Sequence, residues 1–161
     1  MAAPLTIEQF LSHLTRGRAE WEALISRVPP ERMMQPGVEG EWSLTDIIAH
    51  VAWHEREMLG VLRTRALIGS PLWDLPTDTR NAAIYAENRD RAPADVVADE
   101  AQVFGEMMVL IEALTDADLT DPVRFREMPT DWVPGDILAQ NSYEHYAQHI
   151  PAIRGWLAAQ D

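Results

Sequence analysis

The sequence contains no cysteine, which removes disulfide frameworks, thiolate nucleophiles and sulfur-ligated zinc together. No apolar stretch approaches the roughly 20 residues needed to span a bilayer, so a membrane protein is not expected. The first residues, MAAPLTIEQF, lack the basic start and apolar run of a secretory signal, which makes the cytoplasm the default expectation. Positive charge is scarce as well: 13 basic residues face 26 acidic ones, for a formal net charge of −13. A surface of that sign repels phosphate backbones, and no basic, aromatic-interleaved stripe opposes it. Nucleic acid is therefore not an expected partner.

What is present suits one all-α domain spanning residues 1–161. Apolar residues make up 47% of the chain, enough at this length to bury a real core. Thr6 with Gln9 fits a capping box opening a helix over 7–28, with Leu11, Leu14, Trp21 and Leu24 at helical spacing and Pro29-Pro30 as its stop. Ser43 with Asp46 opens a second helix, to about Leu67, ahead of Gly69 and Pro71. Asp46 is read there as a cap rather than as chemistry. The buried stripe of that helix is Leu44, Ile47, Ile48, Val51, Met58 and Leu62. A long connection follows, with a short helix over 78–90 capped by Thr77. Pro93 suits the first position of a third long helix, which runs to Leu114. Residues 115–131 read as turns and loop. A fourth long helix is predicted from near Pro134 to about Ala159, with Pro151 bending it or forcing a polar contact at Ala147. Four amphipathic segments without strand-like alternation argue for a four-helix bundle. The second connection is long enough to cross it and let helices two and three run parallel.

Chemistry concentrates in the histidines. Of the five (His13, His50, His54, His145 and His149), two pairs have i,i+4 spacing, more than random placement would give. On a helix that spacing stacks two imidazoles on one face, one turn apart, where both can reach an ion at roughly 2.0–2.1 Å. His145 and His149 continue an apolar stripe through Leu138, Ile153 and Trp156, which turns them inward. Two unpartnered buried imidazoles are costly, and a shared metal removes that cost. A third ligand is expected from another helix. His50 and His54 both lie near the stripe of helix two, and periodicity does not choose between them.

The segment Glu41-Trp42-Ser43-Leu44-Thr45-Asp46-Ile47-Ile48-Ala49-His50 resembles the second-helix motif of the DinB/YfiT-like superfamily, in which a Trp-Ser pair opens the helix and a ligand histidine follows. Tyr143-Glu144-His145-Tyr146-Ala147-Gln148-His149-Ile150 resembles the pair of ligands on the family's fourth helix. The resemblance implies a metal triad of His50, His145 and His149 on an up-down-down-up bundle. Asn81-Ala82-Ala83-Ile84-Tyr85-Ala86-Glu87-Asn88-Arg89 suggests the ClbS/DfsB-like branch. The family implies a divalent ion, zinc or nickel, with zinc favoured here. Its characterised members imply a transferase using a low-molecular-weight thiol, or a hydrolase, acting on an electrophilic small molecule in stress or detoxification. A non-catalytic metal-binding or ligand-sequestering bundle is the alternative, and a homodimer is compatible with both.

Around the triad, His54 is a candidate fourth ligand or proton-transfer group, against a plainer reading as a polar rim residue. Glu55 is a candidate general base, against the plainer reading of a solvated helix face. Asn141, one turn before His145, is expected to orient that ring. Trp42, Trp53, Trp132 and Tyr143 are candidates for lining an apolar pocket, against ordinary core packing. Arg18, Arg63, Arg65 and Arg154 are the candidate anchors for a carboxylate-bearing thiol.

Overall fold

Both predicted capping boxes form. Thr6 Oγ1 accepts from the Gln9 amide at 3.2 Å while Gln9 Oε1 accepts from Thr6 N at 3.0 Å. Ser43 and Asp46 repeat the exchange at 3.2 and 2.8 Å. In the computed structural model, which describes residues 3–160, these caps open α1 (Ile7–Ser26) and α2 (Leu44–Thr64). The remaining helices are α3 (Thr77–Asn88), α4 (Pro93–Glu112), α5 (Asp116–Thr120), α6 (Pro134–Gln140) and α7 (Tyr143–Ala158). Short 3₁₀ turns and two isolated bridges, Glu39 with Trp42 and Ala66 with Arg126, fill the connections.

Side-chain pairs fix the helix directions. Arg56 of α2 bonds Asp99 of α4, and Arg63, two turns on, bonds Glu106, also two turns on. The offset is constant, so α2 and α4 run parallel, and the connection 65–92 returns the chain along the bundle. Phe10 of α1 meets Tyr143 of α7 and Glu20 meets Arg154, so that pair is parallel too. His145 packs on His54, and His149, one turn further along α7, packs on His50, one turn back along α2, which sets α7 antiparallel to α2. The order is up-down-down-up, as the family resemblance implied. Gly17 lies where α1 and α7 approach most closely: a Cβ there would stand 3.0 Å from Tyr143 Cβ.

The core joins Phe10, Leu14 and Trp21 of α1, Met107 and Ile111 of α4 and Ile153 of α7 around the stripe of α2, where Leu44, Ile47, Ile48, Val51, Met58 and Leu62 are all buried. One polar layer crosses it. Arg18 of α1, Glu55 of α2, Glu100 of α4 and Tyr146 of α7 are buried together, each from a different long helix. Arg18 makes a two-pronged contact with Glu100, its Nη2 donating to Oε2 at 3.0 Å, and lies 4.0 Å over the Phe104 ring. The Tyr146 hydroxyl donates to Glu55 Oε1.

Four local expectations are corrected. Helix α2 stops at Thr64 rather than Leu67, because Arg65 takes the left-handed conformation (φ 49°) that ends a helix, ahead of Gly69. Thr77 does not cap α3; it is that helix's first residue, behind Pro76. The expected loop 115–131 contains α5, opened by a third capping box in which Asp118 Oδ2 accepts from Thr115 N at 2.8 Å. The predicted single helix from Pro134 is two helices, broken at Asn141–Ser142. Asn141 Nδ2 donates to the Ile137 carbonyl at 2.9 Å and Ser142 Oγ to the Leu138 carbonyl at 2.6 Å. Asn141 N keeps its helical bond to the Ile137 carbonyl at 3.3 Å, but Ser142 Oγ takes the Leu138 carbonyl, and Ser142 N turns to the Ala139 carbonyl at 3.1 Å instead. Pro151, by contrast, sits inside α7 without ending it. Ala147 and Pro151 both lie on the exposed face, so the carbonyl that loses its donor points towards water.

Candidate metal centre

The imidazoles of His50 from α2 and of His145 and His149 from α7 converge, with relative exposures of 5%, 5% and 7%. His50 Nε2 stands 3.0 Å from His145 Nε2, and His149 Nε2 stands 3.1 Å from the same atom. One nitrogen from each ring lies within 4.8 Å of the other two. The expected triad is thus assembled from two antiparallel helices, and His50 is the residue of helix two that joins it.

A tight turn supplies the outer contact of His149. Gly40, at φ 58°, lets residues 38–42 fold back, with Trp42 N donating to Glu39 O at 3.0 Å. This brings Glu39 Oε2 to 2.6 Å from His149 Nδ1. A carboxylate only accepts, so Nδ1 carries the hydrogen, and in the neutral ring Nε2 presents a bare lone pair. Glu39 was missed in the sequence, because no helical spacing relates a loop carboxylate to α7.

That tautomer bears on whether a cation fits. With His149 Nε2 bare, His145 Nε2 either carries a hydrogen and donates to it, or is bare and can accept only from His50. In neutral rings the two short contacts at His145 cannot both be hydrogen bonds. Extra protons are not an answer: burial first, then the neighbouring imidazoles, pushes His50 down to about 2 and holds His145 far below the ordinary imidazole range. A metal ion taking a lone pair from each of the three Nε2 atoms would resolve both short contacts, and the donor set of three imidazoles suits such an ion. The buried Nδ1 atoms of His50 and His145 have no partner among the described residues.

His54 stands beside the triad, its ring centroid 4.4 Å from that of His145 and 4.7 Å from that of His50. Asn141, expected to orient His145, holds His54 instead, with Oδ1 at 2.8 Å from Nδ1. The amide is fixed because its Nδ2 donates to Ile137 O. His54 is therefore the Nδ1–H tautomer, and its buried Nε2 has no partner among the described residues. Burial, opposed by the Asn141 contact, draws it down to about 4, so the ring is neutral at physiological pH. Glu55 is neither a solvated face nor near enough to pair with a ligand histidine: it is fully buried in the polar layer against Tyr146.

A cavity of about 610 Å³ opens beside His54, lined by Glu57, Met58, Val61, Trp73, Trp132 and Asn141 among others. Of the four aromatic candidates only Trp132, 46% exposed, lines it. Trp42 packs against His50 and stacks on Tyr85 of α3, and Trp53 packs between Trp73 and His54. Tyr143 faces α1, against Phe10 and His13, and lines a separate hollow of about 710 Å³. The four candidate arginines are all engaged elsewhere: Arg18 with Glu100, Arg63 with Glu106, Arg65 with Asp118 and Arg154 with Glu20.

Replacing Glu39 by Gln is expected to lower zinc affinity about 10–100-fold, the usual cost of losing a carboxylate behind a ligand imidazole. Competition with a chromogenic chelator measures it, and an unchanged affinity would remove Glu39 from the site.

Comparison with known proteins places this geometry. The sequence profile described as the DinB superfamily matches residues 5–153. Among solved structures, an uncharacterised protein from Escherichia coli UTI89 is similar with a TM-score of 0.83 at 18% identity, over 98% of this chain and 96% of the other. A structure described as Sibling Lethal Factor Precursor, DfsB, gives 0.79 at 13% over 96% of each chain. The colibactin self-resistance protein ClbS, solved in complex with double-stranded DNA, gives 0.79 at 13% over 98% of each chain. At these identities the likeness is one of fold. No curated protein matches the sequence.

Proposed function

This chain belongs to the DinB superfamily, and on that footing we propose that it is a metal-dependent enzyme acting on an electrophilic small molecule. The observation that carries the reading is the histidine cluster: three Nε2 atoms aimed at one point, with two contacts that neutral rings cannot both satisfy. His50, His145 and His149 would hold a divalent ion, zinc before nickel, and Glu39 would fix the His149 ring. Bound there, the ion would supply Lewis acidity, favouring the deprotonated form of a thiol or water that reacts with the substrate. His54, neutral and held by Asn141, offers its bare Nε2 as a hydrogen-bond acceptor that would orient that thiol or water. The cavity beyond Asn141, walled in part by Met58, Val61, Trp73 and Trp132, would hold the body of the substrate.

Three protein ligands leave a coordination position for substrate, whereas structural zinc sites usually close with four. The DNA held by ClbS does not carry over easily to a chain of net charge −13 whose candidate arginines are paired with carboxylates, so a small molecule is the proposed ligand. Zinc-loaded protein is expected to accelerate conjugation of a generic electrophile, 1-chloro-2,4-dinitrobenzene, with a low-molecular-weight thiol or water, and His149→Ala to lose that turnover. Tight binding of thiol or electrophile with no turnover in the loaded wild type would favour the sequestering alternative.

A further inference from the structure

All 13 basic residues are arginines, and one of them stands beside the histidines without a carboxylate. Arg80, on the first turn of α3, lies with its guanidinium 4.8 Å over the Trp73 ring, and that ring is 5.4 Å from His54. The edge of Trp73 is pinned, its Nε1 donating to Glu57 Oε2 at 2.7 Å, so the face that carries Arg80 is fixed. The guanidinium itself is under-used. Its only hydrogen bond among the described residues is a long one, 3.5 Å, from Nη2 to the Thr77 hydroxyl, and its Nε is buried with no partner.

Acidic groups outnumber arginines two to one, and the exposed arginines of α2, Arg56 and Arg63, have found carboxylates on α4. A half-buried guanidinium that keeps donors free has given up hydration without replacing it. The cavity wall itself carries Glu57 and Asp74 and no arginine; Arg80 stands behind it, over the face of Trp73, which does line it.

We propose that Arg80 is the anion-recognition residue of the histidine site, selecting ligands that carry a carboxylate within a few bonds of the atom placed at the triad. A carboxylate matches the planar fork of the guanidinium, and a ligand of that kind would complete both the free donors of Arg80 and the open side of the triad. The inference rests on the metal-site reading, and it replaces the four arginines first considered as anchors.

The test is thiolate binding to the cobalt-loaded protein, followed by sulfur-to-cobalt charge-transfer absorption. The probes are ω-mercaptocarboxylic acids of two to five carbons, each against its primary amide. At least one acid is expected to bind tenfold or more tightly than its amide. In Arg80→Gln the ratio should fall to about one, and Arg80→Lys should keep part of it. Thermal melts of both variants, unchanged within a few degrees, show that α3 still covers the site. Equal binding of acid and amide by the wild type, binding of neither with cobalt in place, or a preference that survives Arg80→Gln would overturn the assignment. Failure of cobalt to bind at all, seen as absent d–d bands, would instead overturn the metal-site reading and take the role of Arg80 with it.

Discussion

His145→Ala is expected to weaken zinc binding by more than about 100-fold, exceeding the roughly 10–100-fold that loss of an outer contact costs. The reason lies in its central position. His145 Nε2 is the atom that approaches both His50 and His149, so its removal separates the remaining two ligands and leaves too few for tight binding. The effect should also appear as stability. At a zinc concentration of about 1,000 times the wild-type Kd, binding adds about 4 kcal/mol to the folded state. A 100-fold weaker site under the same conditions gains only about 1.4 kcal/mol. His13→Ala is the control, since that imidazole is exposed on α1 and stacks on Tyr143. Equal zinc-induced thermal shifts in the wild type and His145→Ala would end the case for a triad.

The second large effect falls on stability. Arg18→Met should cost about 3–5 kcal/mol, because it strips a buried carboxylate of its partner. Burial opposes the charge of Arg18, but Glu100 more than offsets it and holds the guanidinium firmly protonated. Without it Glu100 faces Glu55 inside the bundle. For a chain of this length the loss corresponds to a fall in Tm of about 10 °C or more.

The same layer makes stability depend on pH. Burial raises Glu55 well above its ordinary 4.5, with the charge of Glu100 adding to the rise and the Tyr146 hydrogen bond and Arg18 opposing it. A carboxyl raised in the folded state contributes fully below the unfolded value, and the contribution fades as pH climbs from there through the folded value. Wild-type stability should therefore decline from about pH 4.5 upward on this account. Glu55→Gln, neutral and of the same shape, should flatten that decline and gain on the wild type towards neutral pH. Arg18→Met should steepen it. Parallel denaturant curves for all three proteins across pH 4.5–8 would contradict the assignment of Glu55 as the titrating group.

The parts of the fold that were legible in the sequence are those where local chemistry and periodicity agree. Thr6 with Gln9 and Ser43 with Asp46 close reciprocal hydrogen bonds wherever they precede an apolar stripe, so both helix starts could be read directly. The i,i+4 pair on α7 put two imidazoles on one face by geometry alone, and the family motif selected His50 over His54 as their neighbour. The break at Asn141–Ser142 was hidden because apolar spacing continues across it; only the two polar side chains, which bond backwards to the preceding turn, mark it. Thr115 with Asp118 carried the same capping signal as the other two, but a five-residue helix is too short to show a stripe. Glu55 was read as solvent-facing because a mid-helix acid usually is, whereas its helix is enclosed by neighbours and supplies one quarter of a buried polar layer. Glu39 reaches His149 from a turn, and Arg80 comes to lie over Trp73 from the crossover helix. Their positions follow from how the long connections lie on the bundle, which no spacing within one helix encodes.

His50 and His145 are 95 positions apart, and the intervening chain includes most of α2, the crossover, α4, α5 and α6. An ion shared between them would tie that whole span into a ring, restricting the denatured ensemble by an amount that chain-entropy arguments put at about 4–5 kcal/mol. A cysteine-free polypeptide would thereby gain what a long-range disulfide provides, in a form that a chelator undoes and that needs no oxidant. Its resistance to heat and proteolysis would then rise and fall with the free metal around it.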